Sequence, residues 1–119
     1  MSSSKRSEPP DQVQVGPHRY TIQFDDTALN IESVREGEDL VGHCDRRALR
    51  ILVRTGMAHD QEADTLLHET LHALCEVIGF DSELGEMEEE TFVRRLTPIL
   101  LDTLRRNPAL VAYLTDVRV

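Results

Sequence analysis

The chain has 119 residues, enough for one domain with a modest core. Its 13 Lys and Arg against 22 Asp and Glu give a net charge of −9, which argues against a nucleic-acid partner, because phosphate binding needs a basic face. No apolar run approaches the roughly 18 residues of a membrane span, and no apolar segment near the N-terminus resembles a signal peptide. Two cysteines, Cys44 and Cys75, do not make a disulfide framework, so the expectation is a cytoplasmic protein with reduced thiols and no membrane partner.

Residues 1–17 are polar and rich in Ser and Pro, and are expected to form a disordered tail before a single domain at 18–119. From Arg19 the period changes to two. Tyr20, Ile22 and Phe24 alternate with Arg19, Thr21 and Gln23, which predicts a half-buried strand ending at Asp25-Asp26. Leu29, Ile31 and Val34 in the next stretch fit neither a helix nor a strand template. LVGHCD reads as a short strand. Leu49, Ile51 and Val53 then alternate with Arg50, Leu52 and Arg54 in a strand that ends at Gly56.

Two helices follow. The first is expected from an N-cap at Asp60 to Ile78, with Gly79 as its C′ residue. Its apolar set is Ala63, Leu66, Leu67, Leu71, Leu74, Cys75 and Ile78. The second starts at 84–88 and carries Phe92, Val93, Leu96, Ile99, Leu100, Thr103 and Leu104 at helical spacing. Pro98 should bend or break it. Asn107-Pro108 ends it, and ALVAYL forms a last short helix. Strands first and helices after predict an α+β class.

The first helix carries ionisable groups among its apolar positions, in the pattern His68-Glu69-x-x-His72. Residues four apart share a helical face, so both imidazoles can point at one spot, while Glu69 is offset by about 100° and lies beside it. Two imidazoles and a neighbouring carboxylate are what a zinc hydrolase needs: ligands for the ion and a base for water. The apolar surroundings predict that both histidines are partly buried.

Residues 68–80, HETLHALCEVIGF, resemble the active-site helix of the zincin metallopeptidases. Like the thermolysin-type helix, the stretch has Ala after the second His, an acid four residues beyond it, and a helix-ending Gly followed by a large apolar residue. The Asn-Glu-x-x-x-Ser-Asp sequence of the full thermolysin pattern is absent. In size and element order, roughly residues 20–114 also resemble compact zincin-like domains of phages and bacteria, such as the ImmA/IrrE and SprT types. The resemblance implies a small antiparallel or mixed sheet packed on the motif helix and on a second, Glu-bearing helix. It implies Zn²⁺ held by His68, His72 and a third ligand, which in gluzincins is a glutamate of the next helix.

Candidates for that third ligand are Glu88, Glu89 and Glu90, then Cys75, His43 and His59. Helical geometry favours Glu89, which is three before Phe92, four before Val93 and seven before Leu96, in line with the apolar stripe. Glu88 flanks that stripe, and Glu90 is rotated further out. Cys75 reads as a core residue, Asp64 as an outer partner of the histidines, and Glu76 as such a partner or a surface acid. His43 or His59 would line the cleft and stabilise an oxyanion, or else be solvated loop residues, with Tyr113 after them for that role. Arg46, Arg47, Arg50 and Arg54 read as a solvated sheet face. The expected function is hydrolysis of a peptide bond in a protein or peptide substrate, with Glu69 as general base and the strand at 48–54 pairing with the substrate backbone. The other reading is a non-catalytic, metal-stabilised binding or regulatory module of phage or bacterial origin.

Overall fold

The computed structural model describes residues 7–79 and 89–118. Within them the chain runs β1 (Gln12–Val15), β2 (His18–Phe24), α1 (Asp26–Glu36), β3 (Gly42–Asp45), β4 (Arg50–Val53), α2 (His59–Val77), α3 (Glu89–Arg106) and α4 (Pro108–Leu114). The four strands form one mixed sheet in the order β1-β2-β4-β3. β1 pairs antiparallel with β2, β2 parallel with β4, and β4 antiparallel with β3. The α+β class is therefore as expected, with the sheet of the mixed kind. No helix of the described residues is long and apolar enough to cross a membrane.

Both faces of the sheet are covered. Ile51 and Val53 join the main core with Tyr20, Ile22, Leu66, Leu74 and Tyr113. Leu52 points the other way, as strand period requires, and is fully buried on the side of α1 together with Leu29. That is why residues 51–53 read as a continuous apolar run in a strand whose alternation is only partial.

Several sequence expectations need correction. Residues 12–15 do not belong to a disordered tail: Val13 and Val15 are 0% exposed in the main core. Asn107 fastens this strand from outside. Its Nδ2 donates to the Gln14 carbonyl at 2.9 Å and its Oδ1 accepts from the Gln14 amide at 2.9 Å. Two valines are a small apolar count, but a strand offers both to the core and lets a buried amide complete its edge.

The ambiguous stretch after β2 is a helix. Asp25 caps it by accepting from the Ala28 amide, and Gly37, with φ +71°, ends it in the left-handed region. Leu29 is its buried residue, while Ile31 and Val34 face solvent at 53% and 83% exposure. With so little of its apolar content inside, the helix shows no stripe for a periodicity argument to find.

The motif helix α2 starts two residues earlier than expected, at an Ala58 N-cap, with Asp60 and Glu62 in the first turn. Gly79, at φ +76°, follows its end as the C′ residue expected there. α3 runs through Pro98 unbroken, with Pro98 on the exposed side. The start expected for it at 84–88 lies outside the described residues.

Candidate metal centre

α2 lies against β3 and β4, burying Thr65, Leu66, Glu69, Thr70, Ala73 and Leu74. Helical spacing then sends His68 and His72 to the rim of this face. Both are exposed, whereas Glu69 is only 8% exposed. The expected burial is thus reversed: the carboxylate is inside and the imidazoles line an open cleft. The reason lies in β3. Its first residue, Gly42, is so close to α2 that an added Cβ would fall 2.6 Å from Thr65 Cγ2 and 3.0 Å from Glu69 Oε2. Lack of a side chain at Gly42 makes the space into which Glu69 extends.

The two imidazoles converge. Nε2 of His72 and Nε2 of His68 are 3.2 Å apart, and the rings meet edge to face at 75°. Two ligands on a tetrahedral zinc ion, each 2.0–2.1 Å from it, would be about 3.3–3.4 Å apart. The separation of the donor pair is thus close to that of two ligands on one ion. One ligand atom from each of His68, Glu69 and His72 lies within 4.8 Å of the others. A second such group joins Glu32 and Glu36 of α1 with His43 of β3.

Electrostatics divide the roles. Burial raises the Glu69 pKa above the usual carboxylate range; nearby Glu36 adds to this, and His68 and His43 oppose it. Burial lowers the His72 pKa, with help from His68 and Arg46, and so favours the neutral imidazole that binds metal. Among the described residues no hydrogen bond reaches the Glu69 carboxylate. The side chain is buried but its carboxylate opens onto the cleft, so the partner left to it is whatever occupies the cleft.

The cleft holds about 350 Å³ and is bounded by Glu36, Leu40, His43, Cys44 and Arg46 as well as the motif residues. His43 thus lines it as expected, held between Glu36 at 3.4 Å from Nδ1 and Glu32 at 3.6 Å from Nε2. Cys44 also faces it, and burial pushes this thiol up to about 11. Neither Gly42, Cys44 nor Arg46 was among the residues that motif reasoning selected. The one sequence signal was an isolated glycine inside a strand pattern, which marks close backbone approach.

Other candidates lie elsewhere. His59 donates from Nε2 to the Asp116 carbonyl at 2.7 Å, and the Tyr113 hydroxyl donates to Glu62, so both serve to dock the C-terminal segment. Glu76 pairs with Arg46 at 3.6 Å and accepts from the Tyr20 hydroxyl at 3.4 Å. Arg54 is no solvated face residue: it donates to Asn30 and to the Leu40 carbonyl, both at 2.8 Å, and ties α1 to the sheet. The strand expected to pair with substrate, β4, is enclosed between β2 and β3; β3 is the edge strand beside the motif. Glu88 and the side chains of Glu89 and Glu90 lie outside the described residues. Compared with family models, curated proteins and solved structures, the chain finds no match in any of the three.

Proposed function

We propose that the protein is a zinc-dependent metallopeptidase of zincin-like type, with His68 and His72 as ligands and Glu89 as the third. The observation that carries this reading is the convergence of the two Nε2 atoms at 3.2 Å beside a buried carboxylate that has no hydrogen-bond partner among the described residues. A zinc ion held there would supply the Lewis acidity that brings a water within reach of deprotonation near neutral pH. Glu69 accepts that proton on its carboxylate, for which a raised pKa is suited, and hands it on to the departing amine. Substrate backbone pairs with the open edge of β3, which runs beside the motif helix. Both cysteines are free, in keeping with a reducing compartment.

The test is metal content by mass spectrometry on the purified protein. About one zinc per chain is expected, falling close to zero in His68→Ala. Equal zinc in the variant would remove the histidine pair from the metal site. Alanine at Glu89 should weaken binding strongly and alanine at Glu88 or Glu90 hardly at all.

A further inference from the structure

The cleft continues past the histidines. A second depression of about 310 Å³ shares Glu38, Leu40, Gly42, His68 and Glu69 with the first, and adds Asp39 and Asp64 to the walls. With Glu36 of the first depression, four carboxylates besides Glu69 line the trough as a whole. Two have a basic residue beside them: Glu36 meets His43 at 3.4 Å, and Asp39 is 4.0 Å from Arg54. Among the described residues Glu38 and Asp64 have no ion pair, and both side chains are exposed. Arg46, which lines the first depression and not the second, carries the reverse sign and is paired with Glu76 at 3.6 Å.

Acidic side chains at a surface are common and by themselves bind nothing. Here the trough leads down to Glu69, which is 8% exposed, lacks a hydrogen bond from any described residue, and opens into both depressions. Glu38 and Asp64 line the same depression as Glu69 and Gly42 of β3. The two come from different elements, the loop before β3 and the second turn of α2, so neither a helix terminus nor a single turn accounts for their convergence.

We propose that this acidic trough selects peptide substrates with a lysine or arginine side chain on the Gly42 side of the scissile bond. The proposal rests on the peptidase reading and gives that activity its substrate class. Carboxylates with no counter-ion of their own leave an approaching cation with nothing to displace, and several of them around one low-lying groove raise the local concentration of cationic peptide. The attraction is between partly exposed charges, so salt weakens it.

The experiment uses the zinc-loaded full chain and fluorescein-labelled octapeptides of Ala and Ser in which one position is Lys, Glu or Ala. Hydrolysis and binding by anisotropy are measured in parallel at low and high salt. A Lys peptide is expected to be preferred over its Glu counterpart by about tenfold or more, with the ratio shrinking in high salt. The ratio should reverse in the double variant Glu38→Lys with Asp64→Lys. Equal treatment of the Lys, Ala and Glu peptides, or an unchanged ratio in the double variant, overturns the selectivity while leaving a peptidase. If no peptide of any charge is cut, the peptidase reading fails, and the binding ratio still decides whether the trough recognises cations.

Discussion

Two carboxylates in this chain are treated in opposite ways. Asp26, at the start of α1, accepts hydrogen bonds from the Thr55 hydroxyl at 2.5 Å and the Thr55 amide at 2.9 Å, and lies 3.7 Å from Arg54. Those bonds hold its pKa below the usual range. Glu69 is far more buried, has no such bonds among the described residues, and its pKa is raised. Bonding is spent at the exposed seam between α1 and β4 and withheld at the cleft floor. At the seam the carboxylate is held by the protein's own donors; at the floor it is left to whatever fills the cleft. The contrast separates a carboxylate that ties α1 to the sheet from one that faces the cleft.

The sharpest test of that contrast is Glu69→Gln. Hydrolysis should fall by a factor of about 10² to 10⁴, the usual worth of a general base, while zinc content stays at the level of the parent. The metal-free variant should melt no lower than the parent at pH 7, because an amide costs less to bury than a carboxylate. Retained hydrolysis would deprive Glu69 of its role. A marked loss of stability would show that the carboxylate is bonded after all.

Gly42→Ala probes the same floor from the strand side. The new methyl must displace Thr65, whose hydroxyl is committed to the Gln61 carbonyl at 2.9 Å, or push Glu69 out of its space. Overpacking of this kind costs about 1 to 3 kcal/mol. A thermal melt should record it, and turnover should fall further than stability alone explains. A variant with the stability and activity of the parent would mean that β3 and α2 are less tightly apposed than the distances require.

At the seam, Arg54→Met keeps the aliphatic stem but removes the donors that reach Asn30 and the Leu40 carbonyl. The loss should be about 1 to 2 kcal/mol, from charged hydrogen bonds that are only partly replaced by water. Metal content should not change, because Arg54 does not line the motif cleft. A fall in zinc with intact folding would tie the two regions together and weaken the contrast.

Much of this was legible in the residues, unevenly so. The motif helix announced itself because its apolar positions recur at helical spacing and its glycine ends it. β2 did so by strict alternation of Tyr20, Ile22 and Phe24. α1 was hidden because Leu29 is its buried residue, and β1 because Val13 and Val15 are covered by α2 and α3, far along the chain, while Asn107 completes the strand by bonding Gln14. The histidines were legible by spacing, but which of the three motif side chains is buried depended on Gly42, a residue with no side chain to read. Tertiary proximity decided what local pattern left open.

The smallest effect belongs to Asp26, and it carries a pH signature that a merely cosmetic contact would lack. Its folded pKa lies below its unfolded value of about 3.9, so the folded state binds fewer protons between those two values. The stabilisation is therefore fully present above the unfolded value and is lost as pH falls through the folded one. Asp26→Asn cannot be protonated and cannot accept from both the Thr55 amide and hydroxyl with its charged strength. It should melt a few degrees below the parent at pH 7, and the gap should narrow below about pH 4 as the parent's own carboxyl protonates. Because Asp26 is largely at the surface, salt should also shrink the gap. A difference that is the same at low and neutral pH would show that Thr55 responds to the shape of the side chain and not to its charge. Asp26 would then no longer serve as the bonded counterpart to Glu69.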